Sequence, residues 1–259
     1  MRNFTVLTIL AATGAAHAGV GITSELYLTA GDQGNIWVVQ GNSVNRSWAM
    51  NSPNREYPIA VASTVRTLGG VGPETGSEYS QAGSWTGTTY AWPAPIGSAW
   101  DGTTNGSNNF VVDFNNNTVV QMNTDWTNAS VLFNLGTSTN YLGITYDFTD
   151  NSLWVSGWSV GVVEHYSMAG ALLGSFATAF NSVSCLALDH ATGTLWMGSQ
   201  NTQGTFYQYS KVGAAMGSVT IPGLNVENTL GGEFQAVPEP TTIVALGLGL
   251  VALARLRRK

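Results

Sequence analysis

Cysteine is almost missing from this chain of 259 residues, where Cys185 stands alone. A single thiol excludes an intrachain disulfide and any cysteine-based metal knuckle, so the fold must hold by packing and strand pairing. Cys185 itself lies in the apolar run Val183-Ser184-Cys185-Leu186-Ala187-Leu188, the setting of a small buried hydrophobe in a strand. Charge is scarce too: 9% of residues carry it, against about 25% in an ordinary soluble domain. Between Gly19 and Ala236 the cations are Arg46, Arg55, Arg66 and Lys211, while every acid except Glu239 lies there. No basic stripe exists to track phosphates, which excludes nucleic-acid binding. His165 and His190 are the only histidines of that region. HExxH, P-loop and DxDxDG calcium-loop spacings are absent, as is a Ser-His-Asp order with elbow glycines.

Gly, Asn, Ser and Thr fill the gap, and Trp, Tyr and Phe reach 10%. Disordered chains show the reverse, high net charge with few aromatics. An uncharged polar, glycine-rich and aromatic-rich chain has the profile of an extracellular β protein.

The two ends separate from the body. Met1-Arg2-Asn3, an apolar stretch from Phe4 to Ala16, and Ala16-His17-Ala18 before Gly19 form a secretory signal peptide over residues 1–18. Signal peptidase is expected to cut after Ala18, leaving Gly19 first. At the other end Val237-Pro238-Glu239-Pro240 is followed by uncharged residues from Thr241 to Ala254, then Arg255-Leu256-Arg257-Arg258-Lys259. As a helix the uncharged stretch rises about 21 Å, short of the roughly 30 Å hydrocarbon core, and snorkelling basic side chains narrow the gap. The positive-inside rule leaves Arg255, Arg257, Arg258 and Lys259 in the cytoplasm and the body outside.

This tail, residues 237–259, resembles the PEP-CTERM sorting signal of Gram-negative bacteria in its Pro238-Glu239-Pro240 triplet, its Gly/Leu span and its basic end. The resemblance implies an exosortase, a membrane cysteine protease cutting near Pro-Glu-Pro, as partner. It also implies transient anchoring in the inner membrane and a destination at the cell surface or in an exopolysaccharide-rich biofilm matrix.

The body, residues 19–236, repeats itself. Tyr146 to Val155 aligns with Leu188 to Met197, and His165 to Ser175 with Gln208 to Ser218, at intervals of about 42–44 residues. Asn109-Phe110-Val111-Val112 with Val120 to Asn123 makes a looser earlier copy. Asn35 to Val39 with Ser43 to Trp48 makes a fourth, and Ser77 to Ala82 with Thr88 to Trp92 a degenerate fifth. Each unit reads as an apolar strand ending in Asp, a Leu-Trp strand, an alternating strand and an outer strand after a Gly turn. Four strands per repeat is the blade period of a β-propeller, so the expected fold is all-β with about five four-stranded blades. Leu230 to Gln235 reads as a first strand without a unit after it, able to close the ring on the N-terminal blade. The pattern resembles loose WD-repeat-like and NHL-like propellers without their signatures. A lectin or jelly-roll β-sandwich would be as glycine-rich, but requires no such self-match.

Candidate chemistry is thin. Asp147 and Asp189 hold equivalent positions, with Asp101 and Asp32 read as further equivalents. One reading brackets the first turn of each blade; the other is a carboxylate ring at the channel mouth for Ca²⁺ or sugar hydroxyls. Trp85, Tyr90, Trp92, Trp100, Trp126, Tyr141 and Trp158 fall in or near loops, and Trp92, Trp100 and Trp158 are candidates for stacking on sugar rings. Trp37, Trp154 and Trp196 read as equivalent core residues. The expectation is a non-enzymatic exported protein with no catalytic residues and no resident cofactor. Its rivals are a propeller hydrolase or lyase acting on sugars or lactones, and a carbohydrate-binding module.

Overall fold

The computed structural model describes residues 19–31, 34–51, 55–136, 140–224 and 228–235. Ala16, Ala18, Asp32 and the tail with Pro238, Glu239, Pro240, Arg255, Arg257, Arg258 and Lys259 lie outside the described residues. Among the described residues all regular elements are strands, and no helix is long and apolar enough to cross a membrane.

Blade 1 begins with β1 (Leu26–Ala30), β2 (Asn35–Gln40) and β3 (Ser43–Ala49). Blade 2 comprises β4 (Glu56–Val61), β5 (Thr64–Gly69), β6 (Gly76–Ser80) and β7 (Trp85–Tyr90). Blade 3 comprises β8 (Gly102–Thr104), β9 (Asn108–Asp113), β10 (Thr118–Asn123) and β11 (Ser130–Asn134). Blade 4 comprises β12 (Tyr141–Asp147), β13 (Ser152–Gly157), β14 (Val162–Ser167) and β15 (Leu172–Ala177). Blade 5 comprises β16 (Val183–Asp189), β17 (Thr194–Ser199), β18 (Thr205–Ser210) and β19 (Ala215–Thr220). The last strand, β20 (Thr229–Phe234), pairs antiparallel with β1 and completes blade 1 in the order β20-β1-β2-β3. The result is a five-bladed β-propeller closed by its C-terminal strand, which gives blade 1 the same four strands as the other blades.

Burial follows radius. The inner strands β20, β4, β8, β12 and β16 are buried along their whole lengths, so they read as apolar or small runs. The outer strands β7, β15 and β19 are mostly exposed. Asn151 (φ 56°) and Gly193 (φ 67°) take the same left-handed place in the first turns of blades 4 and 5. Gly170 and Gly213 are equivalent as well. A Cβ at either would press within 2.7 or 2.5 Å of Phe133 or Phe176 on the preceding blade.

The blades pack face to face, and each of the five core clusters fills one seam. Tyr27, Ile36 and Val65 lie in seam 1/2; Leu68, Val111 and Trp126 in seam 2/3; Phe110, Val119 and Leu153 in seam 3/4. Trp154, Val163 and Leu188 fill seam 4/5, and Trp196, Phe206 and Phe234 fill seam 5/1. Registers make Tyr27, Arg66, Phe110, Trp154 and Trp196 equivalent second-strand residues. Trp37 departs from the sequence reading. Because β20 supplies the first strand of blade 1, β2 is its third, and Trp37 is only half-buried there. Cys185 is buried in β16, and burial pushes its thiol up to about 12, so it stays inert.

Candidate functional site

A propeller's inner strands have neighbours on one side only, so alternate N–H groups point at the channel and need partners. Asp101 supplies them for four blades. Its Oδ1 accepts the N–H groups of Gly102 and Gly232, both at 2.9 Å. Its Oδ2 accepts those of Ile144 at 3.1 Å and Leu186 at 3.0 Å. One layer along, Thr103 Oγ1 accepts from Tyr146 N and Thr145 Oγ1 from Leu188 N. Burial raises the Asp101 carboxyl, and the four N–H bonds pull against it. Donors engage both oxygens twice, and the carboxylate is the form this geometry holds.

Glu233, also fully buried, accepts from Thr103 Oγ1 at 2.9 Å, while its Oε2 has no hydrogen-bond partner. Burial pushes its carboxyl well above the usual range; the Thr103 bond opposes this and the Asp101 charge adds to it. Glu233 is not among the candidates that the repeat marks, although an acid in the apolar run Leu230-Gly231-Gly232-Glu233-Phe234 is itself a signal.

Among the described residues, Asp101, Asp147 and Asp189 do not form the carboxylate ring read from the repeat. The registers put Asp101 level with Gly143 and Cys185, near the start of the inner strand, and Asn105 level with Asp147 and Asp189. Asn105 Oδ1 accepts from Ser107 N and Asn108 N, as Asp147 Oδ1 accepts from Thr149 N and Asp189 Oδ1 from Ala191 N. These are Asx turns that bracket the first hairpin. Asp189 is further held by Ser24 Oγ at 2.7 Å.

Asp147 has more around it. Its Oδ2 accepts from Trp154 Nε1 at 3.1 Å and pairs with Lys211 Nζ at 2.6 Å across seam 4/5. Beside it, Ser152 Oγ lies 2.6 Å from His165 Nε2 and donates to Asp150, whose Oδ2 is 3.4 Å from the same nitrogen. The His165 ring stacks on Trp154 with centroids 3.9 Å apart. Ser152 and Asp150 thus face one imidazole nitrogen. A catalytic relay needs the carboxylate on the nitrogen opposite the hydroxyl, so the group has no relay geometry. Both histidines feel the charges of Asp147 and Lys211, and burial lowers both pKa values. The two therefore share one neighbourhood, which their non-equivalent places in the repeat did not suggest.

Burial alone would raise the Asp147 carboxyl, but bonds from Lys211, Thr149 and Trp154 hold it down at about 2, against an ordinary 3.8. The unfolded chain then takes up this proton first as pH falls. The stabilisation, about 2 kcal/mol, is complete above pH ~4 and is lost as pH falls towards 2. Urea unfolding between pH 5 and 2 checks this: Asp147→Asn should flatten that part of the profile, and an unchanged slope would refute it.

The aromatic candidates divide. Trp126, Tyr141 and Tyr90 are buried, while Trp85 is exposed on β7. Trp100 stacks on Tyr57 with centroids 5.0 Å apart and meets Phe114 edge-on, and Phe114 meets Trp158 edge-on. Trp158 Nε1 donates to Gln200 Oε1 at 3.0 Å. Trp100 and Trp158 therefore belong to one aromatic row that ties blades 2 to 5 together. Trp92 stands apart, on a groove of about 700 Å³ at the blade 2/3 boundary lined by Thr88 to Ala94 and Asp125 to Ala129. Its Nε1 donates to Ile96 O at 3.0 Å, which fixes the half-buried ring.

Residues 236–259 match the PEP-CTERM protein-sorting motif, so this is an exported protein sorted through exosortase by way of a C-terminal membrane anchor. No curated protein matches the chain. In structure it is similar to a chain of the nidogen/laminin complex, at 13% identity and TM-score 0.57, covering 82% of this chain and 98% of that one. A functionally unknown protein from Desulfotomaculum acetoxidans DSM 771 gives 12% identity, TM-score 0.51 and coverage of 83% and 88%. At these identities the likeness shows the propeller fold alone.

Proposed function

We propose that this chain is a non-enzymatic exported protein of the cell surface or extracellular matrix, whose propeller holds neutral exopolysaccharide in the Trp92 groove. The groove carries the reading. It combines a ring fixed by its own N–H bond with a polar wall of Thr88, Thr89, Asp125, Thr127 and Asn128, the mix that stacks a sugar and bonds its hydroxyls. Asp125 Oδ1 accepts from both Thr127 N and Thr127 Oγ1, which preorganises that wall. The body has few cations against many acids, so an acidic polymer would be repelled and a neutral one is favoured. Weak single-site binding is multiplied when many copies meet one polymer.

The buried polar groups are committed to structural bonds. Asp101 spends both oxygens on backbone N–H groups, and Ser152 is buried and shares one imidazole nitrogen with Asp150. The sorting tail fits the ring's construction, since β20 ends at Phe234, just before the matched segment begins at residue 236. A cut near Pro238 would leave the closing strand in place.

Affinity electrophoresis in gels containing neutral or acidic polysaccharide tests the reading. Retardation in the neutral gel should weaken at least tenfold in Trp92→Ala, about 1.4 kcal/mol. Asp125→Ala, at an exposed position, should weaken it without disturbing the core. Retardation unchanged in both variants would refute the groove.

A further inference from the structure

We propose that Asp147, Asp150 and His165 form a binding site for a zinc-type divalent transition-metal ion at the boundary of blades 4 and 5. One ligand atom from each residue lies within 4.8 Å of the other two. The three come from the end of β12, the turn after it and β14, so blade 4 alone brings them together. One imidazole nitrogen and two carboxylate oxygens is the donor set of a three-ligand zinc site that keeps a position for water.

The surroundings suit that role. The Trp154 ring lies parallel to His165 at 3.9 Å and fixes the imidazole plane. Trp154 Nε1 donates to Asp147, and Ser152 Oγ donates to Asp150, so both carboxylates are oriented from behind. Asp150 and His165 already face each other, with Oδ2 and Nε2 3.4 Å apart. Calcium fits poorly, because it takes six to eight oxygen ligands and this group offers two carboxylates and a nitrogen.

Lys211 gives the site its character. Its ammonium sits 2.6 Å from Asp147 Oδ2 and donates to Thr149 Oγ1 at 3.1 Å, supplying the positive charge that the carboxylate needs. The side chain is partly exposed on a flexible stem, so an arriving metal ion displaces it into solvent at modest cost. Lys211 is then an internal competitor that sets the affinity. This site is separate from the Trp92 groove, which lies at the blade 2/3 boundary, so neither proposal depends on the other.

The test is isothermal titration of the EDTA-treated full chain with Zn²⁺ alone, and with Ca²⁺ in parallel. Wild type should bind one Zn²⁺ and give no heat with Ca²⁺. His165→Phe keeps an aromatic ring on Trp154 and removes the ligand nitrogen, and should weaken Zn²⁺ at least tenfold. Asp150→Asn changes a half-exposed side chain and should weaken it similarly, which covers the case of His165→Phe failing to fold. Lys211→Met should tighten binding at least tenfold, a rise that a merely structural lysine would not give. No Zn²⁺ binding by either wild type or Lys211→Met overturns the proposal. So does affinity unchanged in both ligand variants, or binding lost on His190→Ala instead.

Discussion

Asp101→Asn is expected to destabilise the propeller by about 3–5 kcal/mol, the cost of breaking a buried, hydrogen-bonded charge. The change is nearly isosteric, so the effect is electronic and directional. An asparagine keeps one accepting oxygen and turns an NH₂ towards two of the N–H donors. Whichever way the amide faces, two of Gly102, Gly232, Ile144 and Leu186 lose their acceptor. For a body of this size the loss corresponds to a fall in Tm of roughly 10–15 °C. Thermal unfolding followed by circular dichroism reads it directly. A change below about 1 kcal/mol would mean that Asp101 is not what joins the four blades at the axis.

Glu233 should behave in the opposite sense, although it is equally buried. Its folded pKa lies above its unfolded one, so the folded state binds the extra proton as pH rises past the ordinary glutamate value. Its contribution is greatest at acid pH and declines as pH rises through the folded pKa. Glu233→Gln retains an acceptor for Thr103, removes a charge that burial disfavours, and should leave stability at pH 7 unchanged or higher.

The period of the fold was legible because it is written locally. A Leu-Trp strand, an alternating strand and a Gly turn recur in blades 4 and 5 with the same residues in the same registers. The closing role of Leu230 to Gln235 was legible for the same reason, as a first strand with nothing after it. The phase of blade 1 was not. Its first strand comes from the far end of the chain, so Trp37 looked like a second-strand tryptophan while standing on the third.

The site was less legible, and the cause is sequence distance. Asp101 reaches Ile144, Leu186 and Gly232 over separations of 43, 85 and 131 residues, a relation that no local pattern records. An Asp just before an inner strand resembles an Asp at the end of one until the register is known. Lys211 likewise meets Thr149 across 62 residues, through a seam that brings neighbouring blades together. Repeat alignment identifies equivalent positions within blades, whereas this chemistry lies between blades and across the axis.

Trp196→Ala should cost about 3–5 kcal/mol, because it empties a large side chain from a packed core. The position matters as much as the volume. Trp196 packs with Leu26, Leu28, Cys185, Phe206 and Phe234 in seam 5/1, against both β1 and β20, whose pairing closes the ring. No disulfide backs up that closure, so a cavity there weakens the one junction joining the two ends of the body. The indole Nε1 has no hydrogen-bond partner, and Trp196→Phe therefore forfeits contact area and no polar interaction. Blade 3 already carries Phe110 at the same register, fully buried, so a phenyl ring suits this geometry. The phenylalanine variant should cost clearly less than the alanine one. In Trp196→Ala, near-UV circular dichroism should weaken, and amide exchange should quicken first along β1 and β20, before strands of the other seams. Equal losses for both variants would place the indole nitrogen, and not the seam volume, at the origin of the effect. Exchange spread evenly over all blades would mean that the closure is no weaker than the rest of the ring.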